Sequence, residues 1–199
     1  MIQLIDQMIP AIDKQLRFFI SMLEHDGLYD MLSYHLGLEN DTSIQSSSGK
    51  RIRPVLLLLT CSAVDVDWKQ GLPAACAVEL IHNFSLIHDD IEDASEFRRG
   101  RATVWHVWGI PQAINAGDSL FALAQIAMLD LIKTTDQKTT LRSSRILNET
   151  CQRLTHGQYL DIAYESKSEM EIDTYWNLIA GIQGLFSLKL HACKVNIPL

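Results

Sequence analysis

The stretch Gly71 to Arg101, GLPAACAVELIHNFSLIHDDIEDASEFRRGR, decides how this chain is read. Gly71-Leu72-Pro73 opens a helix, and Ala74 to about Asp90 continues it without a breaker, with Val78, Ile81, Ser85 and His88 falling along one side. Glu92 to Arg101 is strongly polar and leaves the helix. At the junction stands Asp89-Asp90-Ile91-Glu92-Asp93, in which Asp89 and Asp93 are four apart and therefore stack on one helical face, about 6 Å from each other. Carboxylates so close repel one another, and the helix dipole disfavours them at a C-terminus. They either face bulk water as a solvated helix end or share a cation.

Magnesium takes oxygen ligands, keeps several waters and commonly bridges one or two carboxylates to substrate phosphates. Basic residues placed for such a phosphate lie nearby in sequence. Arg98, Arg99 and Arg101 follow the acids directly, and Lys50 and Arg53 stand at i,i+3 spacing after a serine-rich loop, Asp41 to Gly49. Arginine forks suit bidentate phosphate contact and lysine supplies a compact charge. Such pairs alone are often plain surface charge. Here, however, a chain with formal net charge −7 concentrates two basic clusters beside its densest acidic one. His82 precedes Asp89 by two helical turns on the same face, about 10 Å away, a distance suited to a second phosphate group. His88 points elsewhere and reads as a satisfied imidazole. Further on, Gly157-Gln158-Tyr159-Leu160-Asp161 places Gln158 and Asp161 on one helical face, a pattern equally open to a solvent-facing role. Gly157 there would permit close helix approach. Neither Ser85 nor Ser119 has the partners of an activated nucleophile.

The rest of the chain bounds the fold. With 199 residues, 47% of them hydrophobic, and only five prolines and ten glycines, a single helical domain over 1–199 is expected. The acidic balance argues against a nucleic-acid partner. Four scattered cysteines without a paired motif suggest neither zinc nor a disulfide framework, and a reducing, cytoplasmic setting is expected. The most apolar run, Pro54 to Val64, is too short to span a bilayer, so no integral membrane protein is expected. Helical periodicity runs from Ile2 to Leu23 with Pro10 a possible kink, from Val55 to Val64, from Ile110-Pro111 through Ala113 to Ile132, from Thr139 to about Tyr164, and from Ile172 to about Lys194. No strand alternation or repeat is evident. An all-α bundle of about seven helices follows.

Taken together these residues resemble the all-trans isoprenyl (polyprenyl) diphosphate synthases, the family of farnesyl, geranylgeranyl and longer-chain synthases. Gly49-Lys50-Arg51-Ile52-Arg53-Pro54 is similar to its basic GKxxRP element. Glu79-Leu80-Ile81-His82 with His88 to Asp93 is similar to its first aspartate-rich motif, and Arg98-Arg99-Gly100 to the basic follower. Ala102-Thr103-Val104, Ala116-Gly117-Asp118 and Gly157 to Asp161 resemble later landmarks, all in order.

The resemblance implies an isoprenoid-synthase-type bundle of antiparallel helices around a central cavity, assembled as a homodimer or as a heteromer with a related subunit. It implies a magnesium-dependent prenyltransferase joining isopentenyl diphosphate to an allylic diphosphate. Asp89 and Asp93 would hold the magnesium, and Arg98, with Gln158 and Asp161, the allylic diphosphate. Lys50, Arg53, His82 and Arg99 would hold isopentenyl diphosphate. Phe84 and Ser85, five and four residues before Asp89, would floor the product cavity, and the bulky Phe84 resembles the short-chain pattern, C15 to C20.

Two departures accompany the resemblance. Ile182 and Gln183 stand where the family carries a Lys-Thr pair, and the chain stops at Leu199, before a second aspartate-rich motif. About the last third of a full-length relative is thus absent, and little unaided turnover is expected. A catalytically impaired diphosphate-binding homologue or a regulatory subunit is the alternative expectation, and a naturally shortened relative, a subunit and an incomplete copy of a longer enzyme all remain open as accounts of the short chain. Apolar Leu185, Leu188 and Leu190 would suit a partner surface.

Overall fold

The computed structural model describes residues 2–24, 26–39, 49–165, 172 and 176. Its elements in chain order are α1 (Ile2–Ile20), α2 (Gly27–Leu36), α3 (Ile52–Ala63), α4 (Leu72–Glu92), a two-stranded antiparallel hairpin of β1 (Phe97–Arg98) and β2 (Arg101–Ala102), α5 (Val104–Trp108), α6 (Ile110–Leu129) and α7 (Gln137–Glu165). The all-α class expected from the periodicity holds.

α4 is the centre of the packing. Proline in its first turn costs no hydrogen bond that the helix would otherwise make. Ala74, Ala75, Cys76 and Ala77 then keep its first half slender, and all are buried. The helix meets α6 along most of its length and touches α1, α3, α5 and α7 as well, so its burial runs all round and not along one stripe. α6 presents Ala113, Ala116, Gly117, Leu120, Leu123, Ala124, Ala127 and Met128 to the interior, a run of three- and four-residue steps dominated by small side chains. α1 adds Met8, Ile12, Leu16 and Phe19 from one face, while Pro10 stays on its exposed side within a continuous helix.

Several boundaries differ from the periodicity. α1 ends at Ile20, short of Leu23, and α6 passes at Asp130 into a 3-10 turn reaching Lys133. α2 was not expected. Its signals are caps: the Asp26 carboxylate accepts from the backbone N–H of Leu28 and Tyr29, and Gly37 closes the helix at φ 64°. The hairpin overturns the expectation of no strands, because two-residue strands are too short to alternate visibly. Of the expected helix from Ile172 to Lys194 only Ile172 and Trp176 are described, both helical and exposed; Ile182, Gln183 and Leu185 to Leu190 lie outside the described residues, as does the loop Asp41 to Ser48. Among the described residues no helix is long and apolar enough to cross a membrane.

The α4–α6 contact is closest where the His88 ring lies on the backbone of Gly117. A β-carbon there would overlap the imidazole. Phe84 braces the ring edge-on at 4.8 Å and reaches Phe121 of α6 at 5.3 Å. The His88 Nε2 is buried without a hydrogen bond, 3.8 Å from Asp118 Oδ1, which corrects the expectation of a satisfied imidazole. Gly117→Ala is expected to destabilise the fold by about 1–3 kcal/mol through overpacking. Adding His88→Ala should recover most of that loss in urea denaturation, whereas equal losses with and without His88 would show that the ring is not the obstacle.

Candidate functional site

The basic segment before α3 is anchored by the side chain that spacing did not single out. Arg51 caps the helix at φ 48° and turns inward, 3% exposed. Its Nε donates to Asp13 Oδ1 at 2.9 Å, its Nη1 to Glu79 Oε1 at 2.9 Å and its Nη2 to the Leu36 carbonyl at 2.7 Å. Burial works against the guanidinium charge, but Glu79 and Asp13 more than offset it and hold its pKa above the usual arginine value. With Arg51 pinned among α1, α2 and α4, its neighbours Lys50 and Arg53 line a cavity of about 360 Å³ together with Gly49, Glu79, His82 and Arg99. All four residues expected to grip isopentenyl diphosphate are thus brought together.

Within that cavity Arg53 Nη1 donates to His82 Nε2 at 2.8 Å. The geometry requires a neutral, accepting imidazole. Burial, followed by the charges of Arg53 and Arg99, lowers the His82 pKa to about 3 and so keeps it neutral. Burial also lowers the pKa of Arg53 and Arg99, with Glu79 acting against it in both. Arginine nonetheless remains charged at any ordinary pH.

Arg98 and Arg99 are adjacent yet serve opposite sides of the hairpin. Arg99 at φ 53° and Gly100 at φ 77° form the two central residues of a tight turn between the paired Arg98 and Arg101. Positive φ at both positions matches the twist of a two-residue hairpin. Glycine adopts it freely, whereas an arginine there is held in a sparsely populated conformation of the kind found at functional sites. Arg98 consequently reaches Asp90, with its Nε 2.7 Å from Oδ1. Arg99 reaches over Gly49, where a β-carbon would fall 2.6 Å from Nη1. The hairpin is braced from α2, because the Tyr34 hydroxyl donates to the Ala102 carbonyl at 2.9 Å. The Arg101 guanidinium lies 3.8 Å above the Tyr34 ring and meets Glu39 at 2.8 Å.

The acids divide as well. Asp90 is 1% exposed and belongs to Arg98. Asp89, Glu92 and Asp93 lie at the open end of α4, and Gln158 of α7 donates to the Asp89 carboxylate and also bonds Glu92. Burial first, then Glu92, Asp93 and Asp90, raise the Asp89 pKa to about 6 against the pull of Arg98. This carboxylate therefore stands among more negative than positive charge. Its oxygens, with those of Asp93, fit the preference of magnesium. Among the described residues no three acidic, histidine or cysteine side chains converge to hold an ion, so the fit is to a cation whose remaining ligands are water and phosphate oxygens.

Of the other expected residues, Asp161 is exposed on α7, and its side chain has no hydrogen bond or ion pair within the described residues. Phe84 sits between α4 and α6, and buried Ser85 donates to the His82 carbonyl at 2.9 Å. Sequence reasoning missed Arg51, Glu79 and Asp90 as anchors. Each lay inside a quoted motif, but which charge turns inward depends on contacts from other helices.

Residues 39–193 match the family model described as polyprenyl synthetase. A (2E,6E)-farnesyl diphosphate synthase of Mycobacterium tuberculosis is 37% identical over 153 residues, 76% of this chain and 42% of the relative. A geranylgeranyl diphosphate synthase of the same organism is 40% identical over 156 residues, 77% of this chain and 44% of the relative. The solved geranylgeranyl pyrophosphate synthetase of Geoglobus acetivorans superposes with a TM-score of 0.85 at 30% identity, over 96% of this chain and 59% of that one. The chain spans less than half the length of these curated relatives.

Two measurements probe this arrangement. Arg51→Met leaves Glu79 and Asp13 facing each other without a cation and is expected to cost about 3–5 kcal/mol in urea denaturation, part of which Glu79→Gln should restore. The second concerns pH. His82 takes up a proton near pH 6.5 when unfolded but only near pH 3 when folded, so the unfolded chain binds more protons between these values. Stability is fully present above pH 6.5 and falls as pH drops towards 3. His82→Gln should flatten that slope, and an unchanged slope would mean the ring is accessible to protons.

Proposed function

This chain belongs to the polyprenyl synthetase family, and from that premise we propose that it holds the diphosphate-gripping part of a short-chain prenyltransferase site, joining isopentenyl diphosphate to an allylic diphosphate to give a C15 to C20 product. The observation that carries the reading is the convergence of Lys50, Arg53, His82 and Arg99 on one cavity beside Asp89 and Asp93, in a chain of net charge −7.

In this reading Lys50, Arg53 and Arg99 bind the isopentenyl diphosphate, with His82 orienting the Arg53 fork. Asp89 and Asp93 take magnesium, which when bound supplies the positive charge that neutralises a departing diphosphate. Arg98 faces that diphosphate from its seat on Asp90, fixed before substrate arrives and so requiring little reorganisation as charge develops. Gln158 orients Asp89, and Asp161, one helical turn further along α7, would join it at the allylic diphosphate. The allylic carbon–oxygen bond breaks, the isopentenyl double bond attacks the allylic cation, and a proton is lost. Phe84 and Ser85 limit the room for the growing chain. Pairing with a second copy or a related subunit belongs to the same proposal, and α6 carries exposed Ile110, Ile114, Ile126 and Leu129.

Ile182 and Gln183, in place of a Lys-Thr pair, favour a second reading in which the chain binds diphosphates as an impaired homologue or regulatory subunit without turning them over. Incubating purified protein with isopentenyl and allylic diphosphates and magnesium, alongside calorimetric binding, separates the two. Product formation supports the synthase. Magnesium-dependent binding without product supports the subunit. Absence of binding, with Asp89→Ala indistinguishable from the parent, would remove both.

A further inference from the structure

The arginine hairpin is too short to hold itself over the cavity. Two strands of two residues are marginal in isolation, and the turn between them contains a left-handed Arg99. Its base is closed locally, since the Thr103 backbone N–H donates to the Glu96 carbonyl at 2.9 Å and Trp105 Nε1 to the Ser95 carbonyl at 2.9 Å. These bonds shape the hairpin without fixing where it lies relative to the helices. Distant contacts must do that. From β1, Arg98 reaches Asp90 of α4. From β2, the contact is with α2.

Bonded and non-bonded pairs alternate along an antiparallel ladder. With Glu96 and Thr103 bonded, the next pair, Phe97 and Ala102, is of the non-bonded kind. The Ala102 carbonyl therefore points away from β1 and needs an outside donor. The Tyr34 hydroxyl supplies it at 2.9 Å, from 68 residues away in sequence. The contact is returned by Arg101, whose guanidinium lies 3.8 Å over the Tyr34 ring. Its Nη1 donates to the Tyr34 carbonyl at 3.4 Å and its Nη2 to Glu39 at 2.8 Å. Trp108 meets the same ring edge-on at 5.1 Å.

Two residues further on, the same last turn of α2 holds the other side of the cavity. The Leu36 carbonyl accepts from Arg51 Nη2 at 2.7 Å, and Arg51 stands between Lys50 and Arg53 in the chain. α2 is itself fixed by buried Met31, Leu32 and Leu36. One helical turn thus touches both the segment that carries Lys50 and Arg53 and the hairpin that carries Arg99, and these residues line the basic cavity from its two sides. Arg99 depends on that turn most. It makes no hydrogen bond or ion pair with the described residues, so its place over Gly49 is inherited from the hairpin backbone. We propose that the last turn of α2 sets the width of the basic cavity, with Tyr34 the positioning residue for Arg99.

The hold on the hairpin is independent of any substrate, whereas its effect on diphosphate binding rests on the function proposed above. Tyr34→Phe removes the hydroxyl and keeps the ring that packs on Arg101 and Trp108. In calorimetric titration of the 199-residue chain with inorganic pyrophosphate and magnesium, it should raise Kd about fivefold. Tyr34→Leu, which removes the ring as well, should raise Kd about tenfold or more. In an Arg99→Ala background Tyr34→Phe should leave Kd within about twofold, because Arg98 keeps its own hold on Asp90. An unchanged Kd in folded Tyr34→Phe protein, or an equal loss without Arg99, overturns the proposal. A crystal structure of Tyr34→Leu should show Arg99 displaced from Gly49 while Arg98 stays on Asp90, and an Arg99 that keeps its place also overturns it. If the parent fails to bind pyrophosphate at all, the proposed function fails and that crystal structure alone decides the role of Tyr34.

Discussion

Two carboxylates buried on α4, Glu79 and Asp90, must each find a cation, and the site follows from where those cations come from. Removing an ionised group from water costs several kcal/mol unless a well-placed partner meets it. Glu79 takes Arg51 from the segment before α3, and Asp90 takes Arg98 from the hairpin. In both cases the captured arginine drags its flanking residues over the same stretch of α4. Lys50 and Arg53 flank the first, and Arg99 follows the second. The residues facing the cavity are thus the ones left over after the buried acids have been neutralised.

That division solves a problem of like charge. Lys50, Arg53 and Arg99 share one cavity, and Glu79, which also lines it, is the acid that moderates Arg53 and Arg99. His82 accepts from Arg53 only because burial keeps the imidazole neutral. The opposite imbalance holds at the end of α4, where Asp89, Glu92 and Asp93 exceed the available cations and Asp89 becomes harder to ionise. The middle of α4, at Glu79 and His82, thus lies beside a cluster of positive charge, and its C-terminal end beside an excess of negative charge. In the proposed function a diphosphate carrying a divalent cation is the ligand that answers to both.

The close contact of α4 with α6 holds these two stretches in register. Gly117 admits the His88 ring, Phe84 packs on His88 and Phe121, and the next residue along α4 is Asp89. A shift of α6 would pass through this wedge to the acids. Gln158, from α7, completes the link by bonding Asp89 and Glu92.

Much of this was legible in the sequence. α1, α3, α4, α6 and α7 announce themselves by apolar periodicity, because a helix that buries one face must repeat every three or four residues. The acids, the basic runs and His82 were legible as types in order, and the local helix geometry already set Asp89 and Asp93 on one face. α2 and the hairpin were harder, since the first relies on its caps and the second has only two residues per strand. What the sequence could not decide was which member of each charged pair turns inward. Arg51 and Arg53, Arg98 and Arg99, Asp89 and Asp90 are chemically alike along the chain. Their separation depends on a left-handed Arg51, on an arginine strained into a tight turn, and on acids presented by other helices. Residue type and helical period are local properties that the chain determines by itself. The pairing of buried charges is set by desolvation at contacts between distant segments, and only the tertiary structure brings those together.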